Sequence, residues 1–599
     1  MILRLAGGAA RLIARARSQE RPDENQTMGS KNLLRLRPAC WAIVAIGLLP
    51  GMAPKLFGEE SQDRAAQVDI EPGLLAHWPL AGDANDRTPN ARHATVRGNV
   101  DWQVAGPRGK KAAGFNGRDV MLEVPAQSAG QFAAGDFTLA AWIDSDVVTD
   151  DVPGDVVSQY DPKRRRGFHL TLKTNAGVTT TQANFRQLQF GIDNDRASQW
   201  VDCGRPGRAI LAFALAGHDG SLWAGTCEPG QHDAGHVYRY AGGKQWIDCG
   251  SPAPCNSVTA LAACGGKLYA GTGKYRLRGS ALAESENAHL GGRVFRYDDG
   301  HWTDCGQLEG VESVGGMVVF RGQVYATSMY LPAGFFRYEG GSNWTACPTP
   351  GNRVEALGVY NGFLYATSYD GGHVYRFDGS EWTDCGQLGN AADNTQTYSF
   401  AVHGGRLFVG TWRTGRVYRF EDVNHWSDVG RLGEELEVMG MLVHNGRLMA
   451  GTLPLAEVYS YEGDTSWRRL ARLDHTPDVQ YRRAWTMAEY QGRLFTSTLP
   501  SGKIYAFEAG KSATWDREFP ADWHHVAAVK SRGLLRLFID GCQVAESSSF
   551  DPAEYDLASD QPLRIGFGAN DFFHGRLADV RLYGRALDAA QISRLADAP

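Results

Sequence analysis

The sequence predicts an all-β protein in which a ring of repeated four-stranded units interrupts a two-sheet β domain. Three observations predict it. Glycine accounts for 72 of 599 residues, about 12% against a usual ~7%, so tight turns are frequent. Aromatic residues make up 11% of the chain and include 16 Trp, a composition that favours strands. One four-part phrase returns seven times between residues 197 and 512. The charge balance excludes another class: 61 Lys+Arg against 67 Asp+Glu give a net charge of −6, which is not the footprint of a nucleic-acid binder. At 43% hydrophobic and 21% charged, the chain is not disordered either.

In chain order, residues 1–58 read as an N-terminal extension with an export signal. Lys31, Arg35 and Arg37 precede an apolar run from Ala39 to Leu49. That run has the size of a signal core and falls short of the ~20 residues of a membrane span. Residues 1–27 carry five Arg, so Met28 is the expected start. No A-x-A cleavage site follows, which keeps an uncleaved anchor as an alternative. Cys40 precedes the apolar run, the wrong place for a lipoprotein cysteine. Residues 59–68 (EESQDRAAQV) read as a polar linker. The expected location is secreted or in the cell envelope.

The repeat occupies residues 197–512, about 45 residues per copy, the size of a four-stranded propeller blade. Its second strand reads SLWAGT, KLYAGT, QVYATS, FLYATS, RLFVGT, RLMAGT and RLFTST. Its third reads VYRY, VFRY, FFRY, VYRF, VYRF, VYSY and IYAF. Its fourth carries Trp200, Trp246, Trp302, Trp344, Trp382, Trp426 or Trp467, often followed by Asp-Cys-Gly. The first Trp strand precedes any complete blade, and the last blade stops at its third strand. The ring therefore closes by lending its first strand to its last blade, which removes two exposed edges.

The flanks, 69–196 and 513–599, each lack a full core and together make about 215 residues, a normal two-sheet jelly roll. Their motifs agree in order and type: Phe115-x-Gly117, Trp142, Trp523-His-His-Val, Asp540-Gly541 and Gly575-x-x-x-Asp579-Val-Arg-Leu-Tyr583. On these residues the two flanks resemble the laminin-G-like, concanavalin A-like lectin/glucanase jelly roll over most of its length. The resemblance implies a structural Ca²⁺ site, with Asp86 and Asp579 in the matching places and Asp83 and Asn85 to assist. The alternative is that Asp86 is a turn residue and Asp579 a loop cap. His524 and His525 are neighbours on a strand and point to opposite faces, so they read as structural.

Cys203, Cys249, Cys305, Cys347 and Cys385 share one repeat position. Neighbouring outer strands lie beyond the ~7 Å Cα reach of a disulfide, so these read as small buried residues. Cys255–Cys264 is the one local bridge the spacing suggests.

Two loops between second and third strands are long, 227–236 and 273–293, and long loops on a rigid ring commonly carry function. The longer holds Tyr275, Arg276, Arg278, Glu284, Glu286 and His289. At the same rim Tyr369 and Trp412 directly follow the small residues, with Tyr330 one residue further on. Such aromatics either stack on sugar rings or plug the channel. Lys163–Arg166 forms a basic turn, read as a solvated loop or as a holder of acidic polysaccharide.

No catalytic residue is nominated. The E-x-D-x-x-E strand of concanavalin-like glucanases, the boxes of sialidases, G-x-S-x-G and the P-loop are all absent. No nucleotide cofactor is expected. The leading reading is a recognition protein that binds carbohydrate through the jelly roll, the propeller rim or both. Its partner would be a glycan or an extracellular or envelope protein. A polysaccharide-processing enzyme with a propeller active site and a structural adhesion protein remain as alternatives.

Overall fold

Strands from both flanks of the repeat interleave in two seven-stranded antiparallel sheets. The computed structural model describes residues 72–130, 132–145, 151–175, 181–350, 353–369 and 371–597. The signal segment, Met28, Cys40 and the 59–68 linker lie outside the described residues. The first sheet runs Leu74–Trp78, His574–Tyr583, Phe137–Asp144, Trp523–Ser531, Leu534–Ile539 and Cys542–Glu546, with Ala113–Asn116 also on His574–Tyr583. The second runs Thr95–Arg97, Met121–Val124, Leu563–Ile565, Gly154–Asp161, Arg166–Lys173, Gln187–Ala197 and Ala509–Trp515. Trp78, Phe137, Phe168, Phe190, Val526 and Leu582 are among the side chains that fill the space between them. The C-terminal helix Ala589–Asp597 covers the outer face of the first sheet through Ile592 and Leu595.

Seven four-stranded antiparallel blades form the propeller. Their inner strands are Leu211–His218, Ser257–Cys264, Val314–Phe320, Val354–Tyr360, Gln396–His403, Glu437–His444 and Arg483–Tyr490, blades one to seven. Val201–Asp202 pairs with Ile504–Phe507 and supplies the fourth strand of blade seven. The two chain crossings touch: Ser198 N–H donates to the Glu508 carbonyl (2.7 Å), and Glu508 N–H donates to Ser198 Oγ (2.9 Å). Jelly-roll pairing resumes at Ala509, ahead of the expected 513, because Ala509–Trp515 finds its partner in Gln187–Ala197.

The repeated Trp is a latch between blades. The indole N–H of Trp246, Trp302, Trp344 and Trp426 donates to the carbonyl of Cys203, Cys249, Cys305 and Cys385 in the preceding outer strand, at 2.8–2.9 Å. Trp382 and Trp467 do the same with Pro348 and Val429. The repeated Asp shapes the turn that presents that carbonyl. Asp248 Oδ1, for instance, accepts from Gly250 N–H at 2.8 Å, with Gly250 at φ 89°. Cys203, Cys227, Cys249, Cys255, Cys305, Cys347 and Cys385 are free thiols, so the Cys255–Cys264 bridge does not form.

The second jelly-roll sheet lies against one face of the propeller, where the inner and second strands turn. Gly191 permits the closest approach: a Cβ there would stand 1.9 Å from Asn445 Oδ1. Asn445 Nδ2 donates to the Ile192 and Ala509 carbonyls at 3.0 and 2.7 Å. Arg447 grips Asp193 through two bonds. Lys173 pairs with Glu489 at 2.7 Å, both buried. Arg165, from the basic turn, is buried against Glu462 and Ser460, while Arg164 and Arg166 pair with Asp560 and Asp556. Lys163 and Arg164 stay exposed, as a solvated turn requires, whereas Arg165 is committed to the contact between jelly roll and propeller.

Candidate functional site

Each inner strand begins at the propeller face opposite the jelly roll. On blade seven, Arg483 opens the strand and Glu489, six residues later, meets the jelly roll, roughly 20 Å away at ~3.3 Å per residue. The small residues that end each second strand pair with the opening of the inner strand, as in Ala484↔Thr498 and Thr397↔Thr411. Threonine hydroxyls at this end tie blade to blade: Thr259 Oγ1, on an inner strand, donates to the Val314 carbonyl, and Thr327 Oγ1, at the end of a second strand, to that of Glu355, both at 2.7 Å.

A cavity of about 810 Å³ opens at this face. Tyr275, Arg276, Arg278, Tyr330, Tyr369 and Trp412 all line it. So do residues the sequence reading passed over: Arg353, Glu355, Gln396, Tyr398, Glu437, Tyr481, Arg483 and Trp485. These come from the openings of inner strands four to seven, or from just before them. Leu211, Phe213 and Cys227 of blade one pack with Met439 and the lining residues Tyr275 and Trp485 in one apolar cluster. The signal that could have found them is a break in the repeat, since polar and aromatic residues open the inner strands of only some blades.

Loop 273–293 covers the apolar side. Asn256 clamps it by accepting from Tyr275 N–H at 2.8 Å and donating to the Tyr275 carbonyl at 3.0 Å. The Tyr275 ring is buried and packs edge-on to Phe213, with centroids 4.9 Å apart. Its hydroxyl is spent on Ser280 Oγ at 2.6 Å. Tyr275 is therefore a plug rather than an exposed stacking surface. Glu284 accepts from Leu277 N–H and holds the short turn over the cavity. Glu286 and His289 are exposed and outside the lining; loop 227–236 is also outside it, tied down by Asn287 through the Asp233 carbonyl.

The open wall is aromatic and charged. Arg353 lies over the Tyr369 ring at 3.6 Å and pairs with Glu355 at 2.6 Å. Arg276 lies over the Tyr330 ring at 4.5 Å and pairs with Glu312 at 2.5 Å. The Tyr369 hydroxyl donates to that of Tyr398 at 2.9 Å. Trp412 stands perpendicular to Tyr481, with centroids 6.1 Å apart. Burial raises Tyr330, Tyr369 and Tyr398 well above the ordinary phenol range, so all three keep their protons. Burial also pushes the Glu437 carboxyl up to about 7; Arg483 opposes the rise and the charge of Glu355 adds to it.

The jelly-roll candidates have other work. Asp86 accepts from the backbone N–H groups of His77 and Thr88 through Oδ1, and from Arg92 N–H and the Thr88 hydroxyl through Oδ2, all at 2.8–2.9 Å. Burial alone would raise its pKa, but these donors outweigh that and lower it. Asp579 is bound by His77 Nε2 at 2.5 Å and by Arg581 at 3.1 Å. Carboxylates already ringed by hydrogen-bond donors do not fit a Ca²⁺ ion, which needs lone pairs turned inward. Asp83 turns instead to Asn85 N–H and Arg87. Among the described residues, no group of three or more His, Cys, Asp or Glu converges on a metal position. His524 pairs with Asp540 at 2.7 Å, and His525 is buried beside Trp142.

No curated protein matches the sequence. Among solved structures, a streptogramin B lyase is 10% identical, with 52% of this chain and 98% of that chain covered and a TM-score of 0.40. Virginiamycin B lyase from Staphylococcus aureus gives 10%, 52%, 99% and 0.39. BamB from Moraxella catarrhalis gives 12%, 62%, 97% and 0.31. The family model of the concanavalin A-like lectin/glucanases superfamily matches residues 466–593, from the outer strand of blade six through blade seven and the back half of the jelly roll. The fold is accordingly a laminin-G-like jelly roll, matched over its back half by that family model, interrupted by a seven-bladed propeller.

Proposed function

We propose that this is a secreted or envelope-located recognition protein that binds a carbohydrate in the propeller cavity. The observation that carries the reading is the wall itself. Tyr330, Tyr369, Trp412 and Tyr481 offer ring faces and edges, while Arg353, Glu355, Gln396 and Glu437 offer hydrogen-bond partners between them. A sugar needs both kinds of contact, an apolar face for its C–H groups and polar groups for its hydroxyls. The pattern of residues 1–58 supports the location. The jelly roll serves as a base that holds the propeller and leaves the cavity open on the far side. A glycan array probed with the full-length chain tests this. A defined sugar class should bind, and Trp412→Ala and Tyr369→Ala should each weaken it at least about ten-fold. Binding that both variants leave intact would move the site elsewhere, and binding to no glycan would favour a protein partner.

One observation favours a second reading, a polysaccharide-processing enzyme. Glu437 sits in the same cavity with its carboxyl near 7, the range of a general acid. Under that reading Glu437→Gln abolishes turnover of a bound polysaccharide and leaves its binding in place. Under the recognition reading there is no turnover to lose.

A further inference from the structure

We infer that the ligand of this cavity is an acidic sugar whose carboxylate is received by Arg483. The inference rests on the glycan reading above and narrows its class. Five cations line the cavity: Lys274, Arg276, Arg278, Arg353 and Arg483. Four are explained without a ligand. Arg276 and Arg353 are neutralised by Glu312 and Glu355. The Lys274 ammonium is held by the Ser285 and Asn287 carbonyls. Arg278 is exposed to water.

Arg483 differs from all four. It is 5% exposed, and among the described residues it makes no ion pair. Its Nε and Nη1 have no hydrogen-bond partner there. Its Nη2 reaches only the Gly279 carbonyl, at 3.4 Å. The cation is otherwise held between ring faces, 5.7 Å from the Tyr481 centroid and 5.4 Å from that of Trp485. A buried guanidinium with unmet N–H groups is a costly thing to keep, and a carboxylate both neutralises it and accepts from its fork through two parallel bonds, which a single hydroxyl does not. Glu437 acts on Arg483 only at longer range and, with its carboxyl near 7, is a weak competitor for it. Tyr369 and Trp412, on blades four and five, leave the sugar ring a wall to rest on while its acid group reaches Arg483 on blade seven.

Titration calorimetry of the full-length chain with a trigalacturonate, its methyl ester and a sulfated neutral trisaccharide tests this. The acid should bind at least about ten-fold tighter than the ester. Arg483→Gln should bring the two to parity. Glu437→Gln removes the carboxylate that acts on Arg483 and should tighten acid binding, a gain that misfolding cannot imitate. Equal binding of acid and ester, a preference that survives in Arg483→Gln, or tighter binding of the sulfated sugar would each overturn the inference and leave the glycan reading standing. Failure of every sugar to bind would overturn both.

Discussion

Glu489→Gln probes how the two modules are joined. Glu489 is fully buried and takes Lys173 at 2.7 Å, Gln189 Nε2 at 3.0 Å and His444 Nδ1 at 2.6 Å. Lys173 belongs to the jelly roll, whereas Glu489 and His444 close inner strands of the propeller. Glutamine keeps the size and most of the hydrogen bonding but strands the lysine charge. Breaking one side of a buried ion pair costs about 3–5 kcal/mol. The titration of Glu489 agrees. Burial would raise its pKa, but Lys173 and His444 outweigh burial and hold it at about 2. Against an ordinary 4.5 that depression is about 3 kcal/mol of stability. A lowered carboxylate contributes fully above its unfolded pKa, and the contribution is lost as pH falls from about 4.5 toward 2. Urea denaturation at pH 7 should therefore show Glu489→Gln destabilised by about 3–5 kcal/mol, and Lys173→Met/Glu489→Gln should recover most of the loss. A single variant within about 1 kcal/mol of the parent, or a double variant no better than the single, would refute the reasoning.

Further outcomes follow from the same structure. Gly191→Ala drives a methyl group into Asn445 and His169, so it should lower the melting temperature and uncouple jelly-roll from propeller unfolding in calorimetry. Asp571 is buried, and both burial and the charge of Asp151 raise its pKa well above the ordinary range. A raised carboxyl lowers stability as pH climbs past its unfolded value, so Asp571→Asn should raise the melting temperature at pH 8 and change it little at pH 4. Asp86→Asn should lower the melting temperature by loosening the 86–92 turn, whereas a calcium chelator should leave it unchanged. A chelator-sensitive melt would contradict the hydrogen-bond assignment of Asp86.

The repeat was legible because six of the seven repeated Trp side chains make the same latch, Trp200 stacking on Phe507 instead. Trp246 reaching back to Cys203 and Trp302 reaching back to Cys249 are one interaction written again and again, so chemistry and sequence share a period. The jelly-roll halves were legible because strands such as Phe137–Asp144 and Trp523–Ser531 pair across the insertion and keep matching motifs. The cavity was legible only in part. Tyr330, Tyr369 and Trp412 stand out because they follow a run of small residues. Arg353, Glu437 and Arg483 do not, because they sit one residue before the strand positions that repeat, where the blades are free to differ. Tyr275 misled for a related reason: an aromatic on a long loop looks exposed until the loop folds back over Phe213. Asp86 and Asp579 looked like ligands until their donors were visible.

Hydrogen–deuterium exchange of the full-length chain, with and without a saturating oligosaccharide from the array, tests the central claim most directly. The account predicts protection at the mouth of the propeller, in segments around Arg353–Glu355, Gln396–Tyr398, Trp412, Glu437 and Tyr481–Trp485, with the jelly roll unchanged. Protection confined to the jelly roll, for instance around Arg108–Lys111 and Trp142, with the propeller mouth unaffected, would contradict it.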